Sequence, residues 1–170
     1  MSATASRHLL PVLLLAAATP ALADSVNGQF VLDGKPPLKP IEVAAFRVAD
    51  SFNLGKMSTL VLLTSKPVNR ATITKSSDPE TTALNDPAAQ TDYIQVFVTD
   101  DDLVSLDAHL DGKQYLHSTR IGLVASCTNK TPEHVACTVK TAEPVKFMAE
   151  PAWSLDLTFD SAVLAHTADK

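Results

Sequence analysis

The sequence predicts an all-β domain, an antiparallel two-sheet β-sandwich of about eight strands, with a β-barrel as the alternative. Three observations predict it. Apolar and polar residues alternate with a period of two in one segment after another, as in strands buried on one face. These segments are short and are separated by Gly, Pro and Asp turn signals. Long stretches with a helical period of 3.6 are scarce.

The elements follow in order. "GQFVLDGKP" is a short strand that turns at Asp33-Gly34. "PPLKP" is a stiff, extended connector. "IEVAAFRVAD" alternates in part, with Ile41, Val43 and Ala45 opposite Glu42, Ala44 and Phe46. "MSTLVLLTSKP" is apolar without a break, as expected of a central strand covered on both faces, and Pro67 ends it. "TDYIQVFVTD" sets Ile94, Val96 and Val98 against Tyr93, Gln95 and Phe97. "DLVSLDAHLDGKQYLHSTRIGLVASC" is a hairpin turning at Asp111-Gly112, where glycine takes a positive φ without strain. "WSLDLTFDSAV" closes the domain, with Trp153, Leu155, Leu157 and Phe159 facing the core. Between two strands lies "SSDPETTALNDPAAQ", Ser76 to Gln90, with two prolines, room for a turn of helix, and Leu84 as its one large apolar side chain. So long and polar a connection is expected to be exposed and mobile, and replaceable by a short Gly-Ser linker at little cost.

The chain opens "MSATASRHLLPVLLLAAATPALADS". Arg7 gives a positive start, Leu9 to Ala18 an apolar run, and Ala21-Leu22-Ala23 a small-x-small cleavage site. This is the pattern of a secretory signal peptide, residues 1–23, cut between Ala23 and Asp24. The apolar run is too short to anchor the chain, since a span needs about 20 residues. Residues 24–170 then form a single domain, exported to the periplasm or the medium. Loss of Arg7 takes the formal charge from −5 to −6, leaving thirteen basic against nineteen acidic side chains. A mildly acidic domain with no basic patch argues against nucleic acid and anionic membranes as partners. No membrane insertion is expected after cleavage.

The two cysteines, Cys127 and Cys137, flank "TNKTPEH". A zinc site wants four ligands, and two cysteines with His134 do not supply them. The spacing is not the C-x-x-C of a redox pair. In an oxidising compartment a structural disulfide between two hairpin arms remains. Closing so short a loop stabilises the fold by roughly 2–3 kcal/mol on the chain-entropy account. Asn129-Lys130-Thr131 also matches a glycosylation acceptor, relevant only to a eukaryotic secretory pathway.

Catalytic and metal motifs are weak. There is no G-x-S-x-G elbow. His109, His117, His134 and His166 occur among many Ser, Thr and Asp residues, so a triad assembled from scattered positions has no specific signal. His109 and His117 are not a metal pair, because the Asp111-Gly112 turn sets them roughly 10–13 Å apart at about 3.3 Å per residue. They are expected on a solvated polar face. Asp100-Asp101-Asp102 lacks the spacing of a calcium loop. Asp33-Gly34-Lys35 lacks the glycines and helix of a phosphate loop. Trp153 begins an apolar face and is expected in the core. No cofactor, catalytic or metal residue is assigned.

"VNGQFVLDGKPPLKPIEVAAFRV", "TLVLLTSKPV" and the terminal "WSLDLTFDSAV" together resemble a group of small exported bacterial proteins of unknown function. The resemblance covers most of the mature chain and implies a β-sandwich-like fold. It carries no site residues, and the cysteine pair stands outside it. The expected function is a non-catalytic exported module that binds a protein or a glycan or serves a structural role. The alternative is a small extracytoplasmic hydrolase. A lipocalin-like carrier would need a wide apolar barrel and an early G-x-W signature, which this chain lacks.

Overall fold

In the computed structural model, residues 23–50, 55–101, 103–146 and 151–165 are described. The expected leader, residues 1–23, lies outside them except for Ala23, as do Asp102 and His166. The chain is all-β with a small helical cap. Its strands are β1 (Ser25–Leu32), β2 (Glu42–Ala49), β3 (Met57–Thr64), β4 (Tyr93–Thr99), β5 (Val104–Leu110), β6 (Lys113–Ser118), β7 (Leu123–Thr131), β8 (His134–Thr141) and β9 (Trp153–Leu164).

These strands form one mixed sheet, in the order β6-β5-β4-β3-β2-β9-β8-β7, with β1 beside β9. The pairs are antiparallel except for β2 and β9. The parallel pair departs from the all-antiparallel expectation. It arises because β9 is twelve residues long and serves two neighbours on one edge. Its first part, from Trp153 to Asp160, pairs with β1, and its end, at Val163 and Leu164, pairs with Ala45 and Phe46 of β2.

The sheet is curled. Laid flat, eight strands about 4.8 Å apart would set β6 and β7 roughly 34 Å from each other. Only residues 119–122 join Ser118 of β6 to Leu123 of β7, a reach of at most roughly 18 Å. The ends of the sheet must therefore bend toward one another, giving a half-barrel. Gly122 makes the corner with φ +103°, and a Cβ there would lie 3.4 Å from His117 Nε2.

Strand alternation then sorts side chains into two cores. The inner, concave face buries Val61, Val96, Leu106, Phe30, Trp153 and Phe159 with their neighbours. Trp153 is stacked on Phe30 with ring centroids 5.2 Å apart, as its expected core position requires. The outer face of β2 and β3 buries Phe46, Val48, Leu60 and Leu62 in a second core. This explains why "TLVLL" is apolar on both faces.

The second core is covered by the segment expected to be mobile, and that expectation is corrected. Residues 70–89 fold into α1 (Arg70–Lys75), α2 (Pro79–Leu84) and a 3-10 turn (Pro87–Ala89). Ile73, Ala83, Ala88 and Ala89 are buried. The reason is size: small alanines let a short helix lie close to the sheet, so few large apolar residues are needed. Each start is capped by a side chain. Asn69 accepts from Thr72 N at 3.2 Å, Asp78 from Thr81 N at 3.0 Å, and Asp86 from Ala88 N at 2.9 Å. Asp86 also accepts from Asn69 N at 2.9 Å, which ties the ends of the segment together.

Candidate functional site

The helical cap leaves part of the outer face bare. It covers β2, β3 and the edge of β4, and the outer face of β5 and β6 lies beyond it. There a groove of about 380 Å³ opens, with Phe97, Leu103, Leu116 and Ile121 as apolar wall residues. Ser58, Thr99, Ser105, Ser118, Asp50 and Asp107 add polar groups. The register explains the convergence: Ser58 pairs with Thr99, Phe97 with Ser105, Asp107 with Leu116, and Ser105 with Ser118. Directly paired residues point to one face, so four adjacent strands present these side chains together.

Phe97 joins the two regions, since it also packs against the second core. Leu116 and Ile121 are 58% and 60% exposed, large apolar side chains with no cover among the described residues. One end of the groove is stiffened by hydrogen bonds. Thr99 Oγ1 donates to Asp101 Oδ1 at 2.5 Å and accepts from Leu103 N at 3.1 Å. That hydrogen bond holds the Asp101 carboxyl below the usual carboxylate range.

Farther along the outer face of β4 and β5 lies a polar cluster. Tyr93 and His109 stack with centroids 4.5 Å apart. His109 Nε2 is 3.1 Å from Asp107 Oδ1. Gln114 Nε2 donates to Asp107 Oδ2 at 2.8 Å. Asp107 Oδ1 is buried and faces only His109, and Gln95 Nε2, on the residue paired with Asp107, is buried without a hydrogen-bond partner among the described residues.

The singled-out residues fall as follows. Cys127 and Cys137 are register partners in the β7–β8 hairpin, with Cα atoms 4.0 Å apart, and are disulfide-bonded. The strands run farther than the polar loop suggested, to Thr131 and His134, and a bulge between Cys127 and Asn129 absorbs the odd residue. His109 faces Gln114, one of the two partners, Lys113 and Gln114, that the turn allowed. His117 faces Leu106 and therefore lies on the opposite face from His109. It is not solvated, which corrects the expectation of two polar-face histidines. His117 is 7% exposed and meets Trp153 edge-on at 5.3 Å. Burial pushes its pKa down, against a backbone hydrogen bond at Leu116 that raises it. The sequence placed it beside a turn, where alternation is easily misphased.

His134 Nε2 lies 2.6 Å from Asp160 Oδ1 across β8 and β9. Asp100 is 3.7 Å from Arg47, and Asp101 is 3.9 Å from Lys56. No cluster of three or more potential metal ligands occurs among the described residues, and no helix among them is long and apolar enough to cross a membrane.

One cluster was missed. Arg70 of α1 donates to Glu42 Oε1 at 2.7 and 2.9 Å, to the Val43 carbonyl at 2.5 Å, and to Asp24 Oδ2. Asp24 Oδ1 accepts from Ala162 N at 2.8 Å. The first residue expected in the mature chain thus links α1, β2 and β9, with Ala23 before it exposed. Nothing in the local sequence pairs Asp24 with Arg70, because the contact spans 46 residues. In comparisons with family models, with curated proteins and with solved structures, the chain matches none.

Proposed function

We propose that this is an exported, non-catalytic binding module and that the groove on the outer face of β3–β6 is its contact surface. One observation carries the reading. Apolar walls, two of them well exposed, converge with several hydroxyls in a preformed concavity, the usual form of a small-ligand site. A small apolar ligand fits this surface better than a glycan, whose rings stack on exposed aromatic faces. Trp153 and Tyr115 are buried, and Phe97 is half-buried. The hydrolase alternative draws less support. The ring contacts of His134 and of His109 go to carboxylates, and neither ring is hydrogen-bonded to a serine hydroxyl among the described residues.

Export is supported by the leader pattern and by the disulfide. The resemblance to small exported bacterial proteins agrees with it. We read the curled sheet as a two-layer sandwich sharing β9, a reading supported by an inner core that draws on both ends of the strand order.

Nile red, a neutral apolar dye, tests the site. The mature protein should bind it with a rise in fluorescence. Leu116→Asp with Ile121→Asp, both at exposed positions, should abolish the rise and leave the far-UV circular dichroism unchanged. Equal dye binding by the folded double variant would place the contact surface elsewhere.

A further inference from the structure

We propose that the groove takes an amphiphile with an uncharged head, an alcohol or a carbonyl, set against the hydroxyls of Ser105 and Ser118. This rests on the groove being the contact surface. It adds a head group and its place, which an apolar concavity alone does not specify. Ser105 and Ser118 are register partners on β5 and β6, and Phe97 is the partner of Ser105 on β4. One row on the outer face therefore runs Phe97, Ser105, Ser118. Leu116 lies two residues before Ser118 on the same face of β6, and Ile121 ends the 3-10 turn (Thr119–Ile121) that follows it. Both serines are half-buried among these apolar walls.

Other polar groups of the groove are already in use. Thr99 Oγ1 donates to Asp101 and accepts from Leu103 N. Asp107 faces His109 with Oδ1 and accepts from Gln114 with Oδ2. Asp50 has interactions of its own. Ser118, by contrast, stands at the N-cap of the 3-10 turn and makes no side-chain capping hydrogen bond. A serine at such a position usually turns its hydroxyl back to the backbone; here the hydroxyl is left to the groove. No Lys or Arg borders the groove among the described residues. A carboxylate or phosphate head would thus meet two carboxylates and no cation. An ammonium head would find those carboxylates occupied and would give up hydration beside apolar walls. A neutral hydroxyl or carbonyl gives up less, and a serine can donate to it or accept from it. The apolar neighbours keep competing water from that bond and strengthen it.

Displacement of Nile red from the mature protein at pH 8 tests this, with the dye's own Kd measured for each variant. The probes are octan-1-ol, 1-chlorooctane, octylamine and octanoate, which carry hydrocarbon chains of like length and differ in head group. Octan-1-ol should bind more tightly than octylamine and octanoate. Ser105→Ala with Ser118→Ala should weaken octan-1-ol roughly fivefold, the worth of about one neutral hydrogen bond. The same variant should hold 1-chlorooctane as tightly as before or more tightly. Octylamine or octanoate binding as tightly as octan-1-ol overturns the uncharged head. An octan-1-ol affinity that survives the double substitution, or that falls together with that of 1-chlorooctane, overturns the placing at the serines. In each of these cases the groove reading stands. No dye binding and no octyl binding overturns both readings.

Discussion

Gly28 is the position in β1 that a side chain cannot share. Its φ is +110°, and a Cβ there would stand 2.0 Å from the Asp156 carbonyl oxygen. The clash is with backbone, so it cannot be relieved by turning a side chain. Gly28→Ala should cost about 3 kcal/mol or more in urea denaturation, and an ordinary surface-like change would refute the close approach. Asp24 works through charge. Burial raises its pKa, but hydrogen bonds from Arg70 and Ala162 N outweigh this and leave the carboxyl below its usual value. Its contribution is therefore in place above the ordinary carboxylate pKa and is lost as pH falls through the lower folded value. Asp24→Ala should cost about 1.5–3 kcal/mol at pH 7, and the difference from wild type should shrink in acid. His117 acts at a different pH. Its folded pKa is depressed, so the unfolded chain takes up the proton first, and stability should fall as pH drops below about 6.5. His117→Phe should remove that slope, and a slope that persists would assign it to other groups. The turn in "LDGK" was legible and left Lys113 or Gln114 opposite His109; positive φ at both Asp111 and Gly112 makes it Gln114. The Asp24–Arg70 contact was not, since it joins residues far apart in the chain.

At the level of elements, the strands were legible, and of the helical cap only a single turn of helix, not its packing on the sheet. Residues 76–90 carry two prolines, and both were read as loop markers. Each follows an aspartate, Asp78-Pro79 and Asp86-Pro87. In each case the aspartate is the N-cap and proline sits in the first helical turn, where its missing N–H costs nothing. Repeated Asp-Pro was thus a helix-start signal. The segment lacks large apolar residues because its contacts with the sheet are made largely by alanine. Replacing Ser76 to Gln90 with a short Gly-Ser linker should uncover Phe46, Leu60 and Leu62 and lower the melting temperature sharply. An unchanged melting temperature would mean the cap adds nothing to the second core. Ile73→Ala isolates one contact of the same interface and should cost about 2–5 kcal/mol.

At the scale of the whole molecule, curvature decides where the groove is placed. Period-two patterns give strands and faces, but they do not say which strands pair across long separations. The meeting of β9 with β2, and the bend that brings β6 toward β7, therefore lay beyond the sequence pattern. So did the groove, which exists because a small cap covers only part of one face and leaves Phe97 at the boundary. The disulfide belongs to the far end of the strand order, in the β7–β8 hairpin. Replacing both cysteines by serine should leave a folded protein less stable by roughly 2–3 kcal/mol. It should not alter binding at the groove. On the function proposed above, the bare outer face of β5 and β6 is the contact surface. Amide chemical-shift mapping of the mature protein, titrated with Nile red, tests this. Shifts should concentrate at Ser58, Phe97, Ser105, Leu116 and Ile121, with β7 and β8 unmoved. Shifts centred on the β7–β8 hairpin or on the helical cap, or none at saturating ligand, would contradict it.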